Sequence, residues 1–194
     1  MTGRLPARDL ALIATFAALI AVLGLPGQLN LVGNAVPVTA QTLGVMLAGS
    51  LLGAWRGALA VLTFCVLVLL GLPLLAGGRG GLGVLTSPSA GYFLGFTAGA
   101  FVVGALMGLW RGRFALGWAL VANVVGGILV IYAIGIPLQA WITGLPLTAV
   151  VVKSAVFLPG DLVKAVVAAV VARAVVRAYP RAELAAPRER ARAS

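Results

Sequence analysis

The run PGDLVKAVVAAVVA, residues 159–172, carries one acid and one base at its start and is apolar from there on. A stretch of this kind reads as a helix made for lipid, and the chain around it is built in the same way. Pro159 suits a first helical position, which puts Asp161 in the first turn near the positive end of the helix dipole. Asp161 and Lys164 are three residues apart and therefore share a helix face. A charge inside a bilayer costs roughly 2.5 to 3.5 kcal/mol at the helix centre and less toward the surface. The pair must then face protein or a water-filled cavity. Two readings stand: a structural ion pair that caps a helix, or the polar end of a functional site.

Composition decides the class. The chain has 194 residues, 62% hydrophobic and 9% charged, with a mean hydropathy of +1.13. Soluble chains carry about 25% charge. This is an all-α integral membrane protein, read as a single transmembrane domain over 1–194. It has no His and a single Cys, Cys65, within an apolar run. That excludes intrachain disulfides, histidine acid–base chemistry and the usual zinc sites. The net charge of +10 in so apolar a chain points to membrane orientation rather than nucleic acid.

The apolar periods and their breakers predict six transmembrane helices, roughly over 9–25, 38–52, 55–72, 90–110, 114–135 and 159–178, with a basic tail over 179–194. In the first helix, small residues recur every four positions, Ala14 with Ala18 and Ala17 with Ala21. Such faces let helix backbones approach closely, although any alanine-rich bilayer helix contains them. An uncharged loop with Asn30 and Asn34 leads to Pro37-Val38-Thr39-Ala40-Gln41-Thr42. Gln41 and Thr39 lie at or near membrane depth and need partners. Gly53-Ala54-Trp55-Arg56-Gly57 reads as a tight turn.

Pro73 ends the third helix. Ala76-Gly77-Gly78-Arg79-Gly80-Gly81-Leu82-Gly83 follows, and its glycines allow positive φ and close approach of backbone to a ligand. A flexible hairpin would look the same. A phosphate loop would need a preceding strand and a following Lys-Ser/Thr, and both are missing. Gly91, Gly95 and Gly99 form a packing stripe on the fourth helix, and Tyr92 stands at its start. Asn123 and Tyr132 lie inside the fifth. Residues 136–158 read as a longer connection with room for a short interfacial helix.

Six spans put the loops on alternate sides. One side collects Arg4, Arg8, Arg56, Arg111 and Arg113, together with Arg173, Arg177, Arg181, Arg188, Arg190 and Arg192. Five and six make 11 of the 14 cations. The other side keeps Arg79, Lys153 and Lys164. The positive-inside rule then puts both termini in the cytoplasm. It also gathers the glycine loop, the Asn30/Asn34 loop and Asp161/Lys164 on the outer side, and that convergence favours a binding site there.

In this order, Pro37-Val38-Thr39-Ala40-Gln41-Thr42-Leu43, Ala76-Gly77-Gly78-Arg79-Gly80-Gly81, Gly91-Tyr92-Phe93-Leu94-Gly95-Phe96 and Asp161-Leu162-Val163-Lys164 resemble the BioY family. These are the substrate-binding S components of energy-coupling factor (ECF) transporters for biotin. The resemblance spans about residues 10 to 177. It implies a six-helix bundle in a bacterial cytoplasmic (inner) membrane, with biotin held near the outer face and Asp161 and Lys164 at the polar end of the site. It also implies partners: a transmembrane coupling subunit, met by the first helix through Ala14, Ala18 and Ala21, and ATPase subunits. No cofactor is implied. Arg79 is given no role.

The residues suit that ligand on chemical grounds. A ureido ring needs donors and an acceptor, which Asp161, Lys164, Gln41 and Asn123 offer. A carboxylate needs cations or backbone N–H groups, which the loop around Gly78 and Gly81 could offer. Tyr92 stands near the level of that loop, and the remaining wall would be apolar. Another small vitamin remains an alternative ligand. Two other classes compete. A membrane enzyme would want an acidic metal cluster, whereas Asp161 is the only acid expected inside the membrane, Asp9 belonging to the polar start of the chain. A self-sufficient transporter often carries an inverted repeat, and none is visible between residues 10–90 and 91–177.

Overall fold

In lipid, every backbone N–H and C=O must be satisfied within its own segment, so apolar runs of this length become helices. The computed structural model describes residues 6–25, 39–109 and 114–179. The Asn30/Asn34 loop, residues 37 and 38, Arg4, the 110–113 turn and the tail beyond Tyr179 lie outside the described residues. The described residues form α1 (Ala7–Val22), α2 (Gln41–Leu69), α3 (Ala90–Leu109), α4 (Leu116–Val124), α5 (Ile131–Thr143), α6 (Leu147–Ser154) and α7 (Leu158–Ala178). A π-helical segment, Val125–Val130, joins α4 to α5, and a 3-10 turn, Ala155–Phe157, joins α6 to α7. Among the described residues, four stretches are long and apolar enough to cross a membrane: Gln41–Leu69, Ala90–Leu109, Leu116–Thr143 and Leu147–Ala178.

α2 is broken at Gly53, whose φ of 78° and ψ of −177° are not helical. A methyl on Gly57 would sit 2.8 Å from the Ala48 carbonyl oxygen. Nine residues of unbroken helix would hold these positions about 13.5 Å apart. The chain therefore turns back at Gly53, where the sequence expects a tight turn, and the two arms pack against each other. Gly104 of α3 presses on this turn so closely that a Cβ would overlap the backbone of Gly53 and Ala54. Arg56 Nε meets Asp9 Oδ2 at 3.1 Å, which ties the start of α1 to the same turn.

The glycine stripe of α3 is a packing face. A Cβ at Gly91 would lie 2.9 Å from Gly135 Cα, one at Gly95 3.2 Å from Ile131 Cα, and one at Gly99 2.8 Å from the Gly126 carbonyl. α3 thus lies directly on α5 and the π-helical segment. Val45, Phe64, Phe93, Phe96 and Ile131 form part of the core between these helices.

The first and third expected helices end about three residues early, at Val22 and Leu69, and a larger difference lies in the stretch after 135. The fifth expected helix ends at 135, ahead of Pro137, but α5 runs through Pro137 to Thr143 and stops at Gly144, which has a φ of 66°. Proline is tolerated inside membrane helices because neighbouring groups satisfy the freed backbone. The sixth expected helix opens at Pro159, within a residue of the start of α7, and Asp161 stands in its first turn as expected. What the sequence reads as a connection before it is α6 and a 3-10 turn that lead straight into α7. Asp161 thus keeps its place in the first turn of α7, but the helical turn before it means that this end of the helix is not free.

Candidate functional site

The ends of these helices, with the loop at 70–88, enclose a cavity of about 640 Å³ including its mouth. Leu75, Phe93, Phe96, Ile131 and Phe157 give it apolar walls. The polar lining is Thr39, Gln41, Thr42, Arg79, Ser89, Tyr92, Tyr132, Asp161 and Lys164.

The polar end is built on Asp161, which is 5% exposed. Lys164 Nζ donates to Asp161 Oδ1 at 2.8 Å, and Thr42 Oγ1 donates to the same oxygen at 3.3 Å. Tyr132 Oη donates to Oδ2 at 2.6 Å. Lys164 Nζ also donates to Thr42 Oγ1 at 3.1 Å. Three helices, α2, α5 and α7, therefore meet at one carboxylate. Its oxygens are engaged by side chains from across the bundle, and this departs from the reading of a simple helix cap. A buried ion pair is tolerable only when further hydrogen bonds satisfy both members, and here Thr42 and Tyr132 supply them.

Tyr92 contributes a wall rather than a hydroxyl. Its Oη donates to Gln139 Oε1 at 2.9 Å, so the Ser154 hydroxyl, 2.8 Å away, donates to it. The ring packs edge-on to Tyr132 with centroids 5.9 Å apart. Gly135 makes room for it, since a Cβ there would overlap the Tyr92 ring.

Arg79 is the second cation of the cavity. Its Nε donates to the Ala76 carbonyl at 3.3 Å and its Nη1 to Ser89 Oγ at 3.1 Å. Both partners are neutral. Burial pulls its pKa down from the ordinary arginine value, yet a guanidinium remains charged at neutral pH. It thus supplies positive charge that no acid in this loop offsets.

The cavity gathers Gln41, Tyr92, Asp161 and Lys164 from the residues singled out in the sequence. It does not gather the other three. Asn123 is fully buried elsewhere, where its Oδ1 accepts from Ser50 Oγ at 3.0 Å. Gly78 and Gly81 have the positive φ that glycine permits, 70° and 82°, but they stand outside the lining. Their amides are already paired, Gly78 N donating to Leu75 O in the loop at 3.0 Å and Gly81 N to Val68 O at the end of α2 at 2.7 Å. They are therefore not free for a carboxylate. Of the α1 alanines, Ala14 and Ala18 are exposed and Ala21 is partly buried, packed against the core.

Sequence reasoning gave no site role to Arg79, Thr42 or Tyr132. Thr42 follows Gln41 directly, and Tyr132 is a polar group inside an expected span. Each was visible as a buried polar candidate, but nothing local says that Asp161 is its partner.

The comparisons agree with this architecture. The family model described as the BioY family matches residues 1–181. A protein named biotin transporter BioY from Rhizobium etli is 49% identical over 166 residues, covering 83% of this chain and 89% of that one. One of the same name from Rhodobacter capsulatus is 47% identical over 189 residues, covering 92% and 98%. A crystal structure of the S-component for biotin from an ECF-type ABC transporter superposes with a TM-score of 0.82 at 29% identity, covering 91% of this chain and 95% of that one.

Proposed function

This chain belongs to the BioY family, and from that premise we propose that it binds biotin and brings it across the membrane as the S component of an ECF transporter. The observation that carries the reading is the Asp161–Lys164–Thr42–Tyr132 cluster at one end of an aromatic-walled cavity. Biotin needs such a mixed site: a ureido group with donors and an acceptor, a thioether ring that prefers apolar walls, and a carboxylate that prefers a cation. Asp161, Thr42 and Lys164 supply acceptor and donors, Phe93, Phe96 and Phe157 supply walls, and Lys164 and Arg79 supply positive charge.

Counting the two arms of α2 separately, we read six membrane crossings with both termini in the cytoplasm. The cavity then opens on the outer side of a bacterial cytoplasmic membrane. The chain carries no phosphate-loop motif, so energy for accumulation has to come from ATPase subunits acting through a transmembrane coupling subunit. The exposed Ala14 and Ala18 of α1 offer that subunit a face of small side chains. The direct test is calorimetry of the purified protein with biotin. Saturable heat is expected, and no binding up to millimolar biotin would overturn the reading.

A further inference from the structure

Gln41 opens α2 and lines the cavity, yet its carboxamide is engaged by backbone. Nε2 donates to the Leu74 carbonyl at 3.0 Å and toward the Ile20 carbonyl at 3.4 Å. Oε1 accepts from the Ala76 amide at 3.2 Å. The side chain is 1% exposed. One carboxamide therefore joins three separate segments: the end of α1, the start of α2 and the loop that carries Arg79. The junction is tight. A methyl on Gly24, just past α1, would stand 2.9 Å from Gln41 Nε2 and 2.8 Å from the Leu74 carbonyl oxygen. Gly24 itself is not part of the cavity lining.

We infer that Gln41 is a positioning residue rather than a ligand contact: it fixes the 74–79 backbone against the end of α1, so that the Arg79 wall of the cavity and α1 hold one register. This rests on the reading of the cavity as the biotin site. A bound ligand that touches the loop then tightens the end of α1 as well, because both hang on the same amide. A buried carboxamide with both ends paired is suited to this, since losing it strands two carbonyls and one amide at once. α1 is also the helix that carries the exposed Ala14 and Ala18, so the junction lies between the cavity and that face.

The test compares Gln41→Met, Gly24→Ala and the double variant by equilibrium binding and dissociation of radiolabelled biotin. The thermal midpoint of the ligand-free protein is measured alongside. Gly24→Ala cannot touch the ligand but disturbs the same junction. Each single variant should lose about tenfold or more in affinity through faster dissociation, and Gln41→Met should also lower the midpoint because it leaves the Leu74 and Ile20 carbonyls and the Ala76 amide unpaired. The double should be no worse than the weaker single, as coupled neighbours are not additive. Gly24→Ala binding like wild type, or losses that multiply in the double, would overturn the inference.

Hydrogen exchange on the wild-type protein decides the matter even where a variant fails to fold. Biotin should slow exchange at Ala76 and at Leu23 and Gly24 together. Protection confined to Ala76 would overturn the inference while leaving biotin binding intact. Wild-type protein that binds no biotin would overturn both readings.

Discussion

The Tyr132 hydroxyl, on α5, donates a 2.6 Å hydrogen bond to Oδ2 of Asp161, on α7. The two residues are 29 positions apart, and the bond joins two helices at the polar end of the cavity. Hydrogen bonds to charged groups contribute about 1.5 to 3 kcal/mol. Tyr132→Phe removes the bond and keeps the ring that packs on Tyr92. Biotin affinity should fall about tenfold or more while the helical circular dichroism is unchanged. Equal affinity in the Phe variant would show that Asp161 needs no help from α5.

Asp161→Asn leaves the Lys164 ammonium in a buried place without its counter-charge, and Lys164→Ala leaves the carboxylate with only neutral donors. Breaking a buried pair by removing one member costs several kcal/mol. Each variant should weaken biotin binding by roughly 2 kcal/mol or more, about thirtyfold in Kd. Calorimetry on well-folded variants reads this directly. Unchanged affinity would reduce the pair to a structural role.

Gly104→Ala and Gly108→Ala test the packing of α3 on the α2 turn. A Cβ at Gly104 would overlap the backbone of Gly53 and Ala54, whereas one at Gly108 meets nothing within 4 Å. Backbone cannot rotate out of the way as a side chain can. Gly104→Ala should destabilise by about 1 to 3 kcal/mol. Gly108→Ala should be neutral or slightly stabilising, since alanine is the better helix former. Thermal unfolding in detergent separates the two, and equal midpoints would contradict the close contact.

Topology can be read from outside the cell. Gly83 is exposed in the loop after α2, and a side chain there meets nothing within 4 Å. In a Cys65→Ala background, Gly83→Cys should react with an impermeant maleimide added outside, and Arg113→Cys should not. The reverse pattern would invert the proposed orientation.

Ala14 and Ala18 are exposed on α1 and stand outside the cavity lining. Small residues let helix backbones meet closely. Ala14→Trp or Ala18→Trp should leave biotin binding at the wild-type level and block co-purification with the coupling subunit, and with it uptake in a biotin-requiring strain. Bulky variants that assemble and transport normally would place that face against lipid.

The sequence by itself determined the class of molecule, the course of most helices and several of the polar residues that line the cavity. Composition alone excludes a soluble domain. Asp161 and Lys164 are legible as a pair because a three-residue spacing on one helix is a local fact. The stripe of Gly91, Gly95 and Gly99 and the turn at Gly53 are legible for the same reason. Pro137 misled because the rule that proline ends a helix weakens where neighbouring helices can satisfy the freed carbonyl.

What only the tertiary structure decided is which polar residues meet. Thr42 finds Asp161 across 119 positions, Ser50 finds Asn123 across 73, and Gln41 finds Ala76 across 35. Helical periodicity fixes which residues share a face of one helix. It does not fix how that helix is rotated against its neighbours. That rotation is set by close contacts such as Gly135 against Tyr92 and Gly104 against Gly53. It brings Tyr132 to the cavity and leaves Asn123 with Ser50. It also ties Gln41 to the backbone of the loop that holds Arg79.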